Sequence, residues 1–236
     1  PTCGDAEGPM SDVPGLAARY EQSVAIPPRG FVDIKGHQAH YKPSNLKLQF
    51  EFRRYSGTDT VVLPEPRPEL LDGPGEGLGL ETLGLILNYA AGLRPQAEQG
   101  GKLRRWTAGG NIGSVGARVV VNDPDILPVG TYAYSESEHT LVRLGPAAPG
   151  LDAPVVLILT ANVGKVARKY GSFALRVSIQ DGGCSAMTAR RVSQALAIPW
   201  RPVARWDERA LCAACHADPD REPITTVTYL GDTHAH

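Results

Sequence analysis

The chain has 236 residues, 42% of them hydrophobic and 21% charged, with 24 basic residues against 25 acidic ones for a formal net charge of −1. That is globular and enough for one large domain or one domain with an extra segment, while the balanced charge offers no field to draw nucleic acid or an anionic membrane surface, so neither is expected as a partner. No apolar run approaches the ~20 residues of a membrane-spanning helix, and the opening PTCGDAEGPM lacks the basic and apolar regions of a secretory signal, so a cytoplasmic location is expected.

Residues 1–30 are rich in Gly, Pro, Ala and Ser around one short helical patch, Val13 to Gln22, and read as a loosely held leader. Alternation at Leu46, Leu48 and Phe50 suits a strand or an arm. A leader or arm is expected over 1–45 and a folded domain over 46–236. Glu65 to Gly79 is dense in Pro and Gly and predicts an extended crossing. Leu80 to Leu93 carries apolar residues at 80, 83, 86, 87 and 90, the helical period, with Gly92 where a helix would stop.

Arg104 to Val121, RRWTAGGNIGSVGARVVV, is the stretch most able to hold a ligand. Glycines at 109, 110, 113 and 116 let a backbone come close to a flat or anionic group, although a tight turn before a strand is the commoner use of such glycines. The spacing is neither a P-loop nor G-x-G-x-x-G, and it precedes a strand instead of following one. Beyond it, strands are predicted over Ala117 to Asn122, Gly130 to Tyr134, Thr140 to Leu144 and Ile224 to Leu230, with a polar turn from Ser135 to His139. Ala153 to Ala161 is a continuous apolar run of the kind buried on both faces. Helix is predicted from Val163 to Ile198, broken at Tyr170-Gly171 and near Gly182-Gly183, and again from Glu208 to His216. This order implies an α+β fold with helices packed on a mostly antiparallel sheet.

Four cysteines, Cys3, Cys184, Cys212 and Cys215, are too few and too unevenly placed for a disulfide framework. Cys212-Ala-Ala-Cys215-His216 matches the c-type haem attachment pattern, but its segment also reads as an amphipathic helix, and no second pair stands at zinc-finger spacing. Buried free thiols are the better expectation, and no metal is expected. His37 and His40 could share a helix face as ligands, though their surroundings are not helical in pattern; His234 and His236 read as solvated, and His139 as part of a turn. Lys165, Arg168 and Lys169 read first as a basic solvated face. Lys169 beside Tyr170 admits a second reading, in which the ammonium favours a phenolate that acts as a base. Neighbours on a continuous helix diverge, so this needs a helix end, which Gly171 allows.

Five segments in the same order resemble one family. LGLETLGLILNYAAGLR, RWTAGGNIGS, LPVGTYAYSESEHTLVRLG, KYGSFALRVSIQDGGCSAMTARR and DPDREPITTVTYLG are similar to motifs of the SagB-type dehydrogenases, the azoline-oxidising branch of the nitroreductase superfamily, over roughly Leu46 to Gly231. The resemblance implies a nitroreductase-like fold, a homodimer or heterodimer, and FMN at the subunit interface. It implies oxidation of a thiazoline or oxazoline to an azole on a precursor peptide or a carrier-bound peptide. It places Arg105, Thr107, Ala108, Gly109 and Gly110 at the flavin ring and gives Lys169 and Tyr170 the proton abstraction. The family's arginine-rich phosphate segment is DGPGEGLG here, so Arg104, Arg105 or Arg205 would have to take the phosphate. The other departures are Trp106-Thr107 for Pro-Ser, Gly113 for Pro, Asp181 for the helix Glu, and Ala204-Arg205-Trp206 for the Gly-Gly-Phe before the last helix. Two further readings stay open: a catalytically degenerate, flavin-poor partner subunit or peptide-binding protein of the same fold, and a nitroreductase acting on small molecules.

Overall fold

β-branched and apolar residues at every position leave the run after residue 154 no polar face to turn to water, so it can settle only at the centre of a sheet. In the computed structural model, which describes residues 43–55, 59–73, 75, 77–94 and 104–231, it does so. The strands are β1 (Thr60–Val62), β2 (Val115–Val121), β3 (Gly130–Ser135), β4 (Thr140–Gly145), β5 (Val155–Ala161), β6 (Trp200–Pro202) and β7 (Ile224–Leu230). They form one sheet in the order β1-β4-β3-β2-β5-β7-β6, and each neighbouring pair is antiparallel. Every residue of β5 is buried.

The helices are α1 (Leu80–Ala91), α2 (Val163–Tyr170), α3 (Ala174–Ala195) and α4 (Glu208–Ala214). Alternate residues of a strand point to opposite faces, and β2 separates two cores accordingly. Val119 and Val121 join α1 and α3 through Leu83, Leu87, Ala189 and Val192. Val120 faces the other way, with Ile158 and Val227, onto Leu211 and Cys212 of α4 and Cys215 just beyond its end. Arg118 faces that second side with no exposure; it is held 2.7 Å from Glu222 and donates to Thr160 Oγ1 at 2.8 Å. A buried charge is tolerable only when paired and hydrogen-bonded in this way.

Two sequence expectations change. Leu48 and Phe50 would share a face in a strand. Instead Pro43–Phe50 is a 3-10 helix, with Leu48 at 1% exposure and Phe50 at 59%. Helix α3 also runs unbroken through Gly182-Gly183. Gly182 is there for packing: a Cβ would lie 2.6 Å from Thr225 Oγ1 on β7, so the missing side chain lets helix and strand approach. The break at Tyr170-Gly171 is present; α2 ends at Tyr170, and Gly171 takes φ +53° before a 3-10 turn leads into α3. The short strands β1 and β6 carried no pattern long enough to read. The leader, with Val13 to Gln22, lies outside the described residues, as do His37, His40, His234, His236 and Cys3.

Candidate functional site

The glycine loop crosses from the buried Trp106 to the start of β2, and three of its residues adopt left-handed backbone: Gly110 at φ +57°, Asn111 at +56° and Gly113 at +71°. Only glycine, and at some cost asparagine, does this readily. Asn111 is held there by donating Nδ2–H to Gln49 Oε1 at 2.8 Å. The loop's two ends are joined by one side chain. Asp181 of α3, buried at 4% exposure, accepts the Gly109 N–H at 2.7 Å and the Ser114 hydroxyl at 2.8 Å. Burial pushes its carboxyl above the usual range; these two hydrogen bonds and the Arg104 charge pull it back.

Lys169 and Tyr170 arrive at the same loop. At the end of α2 the helix no longer forces neighbours apart, and the Lys169 Nζ stands 5.3 Å from the centre of the Tyr170 ring. Both reach Gly110: a Cβ there would lie 2.8 Å from Tyr170 Oη and closer still to Lys169 Nζ. The same holds at Gly109, whose Cβ would collide with Val177 of α3. The glycines of this loop are therefore required by the protein's own side chains, where the sequence had pointed to a ligand's approach. Tyr170 is pushed above its ordinary pKa, first by burial and then by the Asp181 carboxylate. At neutral pH it is a phenol, which corrects the expectation of a phenolate made by its lysine neighbour.

The candidate cofactor residues separate into groups. Thr107 and Gly110 are exposed and Arg105, Ala108 and Gly109 half-buried, so 107–110, beyond the buried Trp106, offers an accessible strip beside Lys169 and Tyr170. Arg105 is tethered, with its Nε donating to Asn88 Oδ1 at 2.6 Å and its guanidinium 4.4 Å from the Tyr89 ring centre. Arg104 turns inward with no exposure. Its guanidinium fills the space where Gly113 lacks a Cβ, donates to Asn111 O and Gln49 O, and lies 3.6 Å from Glu136. It supports the loop from beneath and presents nothing to a ligand above. Arg205 is exposed and stands between Val203 and Trp206, which pack on the opposite face of the sheet from α3.

Lys165 departs from the solvated face expected of it. It is 8% exposed and donates to Glu51 O at 2.7 Å and Gly113 O at 3.2 Å, and burial lowers its pKa to about 8. With Glu136, Arg53, Tyr55 and Glu222 it lines a cavity of about 40 Å³ behind the loop. Arg168, by contrast, is exposed and pairs with Glu51. Sequence reasoning passed over Glu136 and read Lys165 as solvated, because a charged residue in a polar turn or a basic run gives no sign of which way it points. Ser114 was passed over, and Asp181 had entered only as a departure from a motif.

The C-x-x-C-H cysteines are buried thiols, Cys212 pushed up to about 12 and Cys215 to about 11, chiefly by burial. Among the described residues no three His, Cys, Asp or Glu side chains gather as a metal site, and no helix is long and apolar enough to cross a membrane. His139 belongs to the structure of its turn. Its Nε2–H donates to Pro64 O at 2.9 Å, so Nδ1 is left to accept from Tyr134 Oη at 2.8 Å.

No family model matches the chain, and no curated protein does. Among solved structures it is similar to a protein described as a nitroreductase from Ralstonia eutropha, at 20% identity and a TM-score of 0.60, covering 79% of this chain and 96% of that one. It is similar to another so described from Anabaena variabilis, at 18% identity and 0.63, covering 85% of this chain but 46% of that one, so it spans less than half of that protein. The E. coli microcin synthetase complex McbBCD with truncated pro-MccB17 bound is similar at 15% identity and 0.56, covering 96% of this chain and 84% of that one. The fold is thus nitroreductase-like: an α+β architecture in which helices flank an antiparallel sheet.

Proposed function

We propose that the chain is a flavin-dependent oxidoreductase that converts thiazoline or oxazoline rings of a peptide to azoles. The observation that carries this reading is the convergence of Lys169 Nζ and Tyr170 Oη on Gly110, at the end of the accessible strip 107–110. Likeness in fold to the nitroreductases and to a microcin synthetase bound to its truncated precursor supports it. Bound FMN would supply the acceptor for a hydride and its two electrons, with dioxygen reoxidising it. On this reading the exposed Thr107 and Gly110, with Ala108 and Gly109 between them, would lie along the ring end of such a group, and Arg105 would stand at its edge. The chain's own chemistry is the proton. Lys169 takes it from the azoline ring carbon as the C–H electrons form the new double bond and hydride leaves the adjacent carbon. Tyr170, held as a phenol, donates a hydrogen bond to the ring heteroatom and fixes its orientation.

Purified protein titrated with FMN should develop the visible absorption of bound flavin. Lys169→Ala and Tyr170→Phe should keep that absorption and lose azole formation on an azoline peptide by 100-fold or more, in line with the ~10²–10⁴-fold of general base catalysis. Unchanged turnover in both variants removes the base assignment. The reading further expects a peptide partner, assembly as a homodimer or heterodimer, and a cytoplasmic setting.

A second reading, a flavin-poor partner subunit or peptide-binding protein, is favoured by one feature. Asp72 to Gly79, where the resemblance puts arginines, contains no cation, and Arg67 beside it is engaged with Glu81. A phosphate dianion needs guanidinium or ammonium partners; Arg205 lies beside Val203 and Trp206 on the far face of the sheet, which leaves Arg105 as the candidate on the side of the loop. Protein that gains no flavin absorption under saturating FMN sinks the first reading.

A further inference from the structure

The carboxylate of Asp181 does two things at once. Its Oδ1 takes the N–H at the first residue of the loop and its Oδ2 the hydroxyl at the last, so one buried side chain closes the six-residue span from Gly109 to Ser114. The anchor is rigid. Asp181 is the eighth residue of the 22-residue α3, one turn beyond Val177, which fills the space beside Gly109, and directly before Gly182, which seats the helix on β7. Ser114 is itself fixed, its carbonyl accepting the N–H of Asn162 at 2.7 Å at the cap of α2. The closed loop then presents Gly110 outward against Lys169 and Tyr170.

We propose that Asp181 is a positioning residue: by closing the Gly109–Ser114 loop onto α3 it sets the height of the strip Thr107–Gly110, along which the flavin ring would lie, relative to Lys169 and Tyr170. This rests on the flavin reading above, but the closure can be measured without flavin. A carboxylate is well suited to the task, since it accepts from both donors, and a hydrogen bond to an ionised acceptor is about twice as strong as a neutral one. An amide keeps the connection in weaker form: its oxygen accepts the Gly109 N–H while its NH₂ donates to Ser114 Oγ, the hydroxyl exchanging its role from donor to acceptor. Alanine keeps neither.

The test compares wild type, Asp181→Asn and Asp181→Ala by two readouts. The first is native-state amide exchange of the segment 109–114 in protein free of flavin. The second is titration with FMN, read by its dissociation constant and the position of the visible absorption band. Asp181→Ala should speed exchange across 109–114 by at least tenfold while the second half of α3 exchanges as in wild type. It should also weaken FMN tenfold or more and shift the band, whereas Asp181→Asn should recover most of both. Wild-type exchange in Asp181→Ala overturns the proposal. An Asp181→Asn protein as impaired as Asp181→Ala also overturns it, because charge and not closure would then be at work. Asp181→Ala exchange that rises equally throughout α3 assigns Asp181 to general stability and overturns it too. Wild-type protein that binds no FMN sinks the flavin reading and the ring-seating half of this proposal together, while the exchange comparison still decides the closure.

Discussion

Gly110→Ala separates the cost of a backbone from the cost of a displaced site. Gly110 sits at φ +57°, ψ +19°, where an alanine is strained by ~1–2 kcal/mol. The new methyl would also stand 2.8 Å from Tyr170 Oη and in collision with Lys169 Nζ. Lys169 Nζ, the nearer of the two, is the far end of a flexible side chain and can swing away, so the loop keeps its place. The stability loss is then the backbone term alone, which for a domain of this size lowers Tm by about 2–8 °C, at roughly 2–4 °C per kcal/mol. Activity should suffer far more, since a shift of ~1 Å in positioned groups is worth about 100-fold. Gly150→Ala is the matched control, at φ +75° with nothing within 4 Å of its Cβ. Thermal unfolding by circular dichroism and turnover of an azoline peptide should show similar Tm losses in the two variants and a turnover loss in Gly110→Ala only. Equal turnover in both would refute the claim that the Lys169–Tyr170 pair works against this residue.

Two more outcomes follow from burial. Lys165 has its pKa lowered to about 8 from an ordinary 10.5, so between those values the unfolded chain holds more protons and stability rises with pH. The unfolding free energy of wild type minus that of Lys165→Met should therefore climb by on the order of 3 kcal/mol from pH 8 to 10.5 and stay level below pH 8, measured by denaturant titration; a flat difference across that window refutes the burial. Cys212 and Cys215, raised to about 12 and 11 and buried, should resist a thiol reagent at pH 8 in the folded protein while the exposed Cys184 reacts, and should label only on unfolding, as peptide mass spectrometry would show.

Much of the fold was legible because its signals are local. The final strand lies over Ile224–Leu230 as read, α1 begins at Leu80 as its period requires, and the apolar run Val155–Ala161 is the buried centre of the sheet. The α2 break was legible at Gly171, where a positive φ needs a residue without a Cβ. Leu48 and Phe50 misled because two apolar residues fit more than one period. Gly182-Gly183 misled because propensity alone cannot tell a helix stop from a helix that needs a smooth side.

The site was legible to a lesser depth. Sequence alone marked Gly109, Gly110, Lys169 and Tyr170, whose residue types restrict what they can do, and it set the order of strands and helices that carries them. Only the tertiary structure decided that Gly110 faces the lysine and tyrosine, that Arg104 lies beneath the loop, and that Asp181, far along the chain, closes it. The physical reason is direction. Side-chain period and backbone freedom are written residue by residue, whereas the partner of a buried charge depends on which elements pack against each other, and Asp181 meets Gly109 across 72 positions of chain.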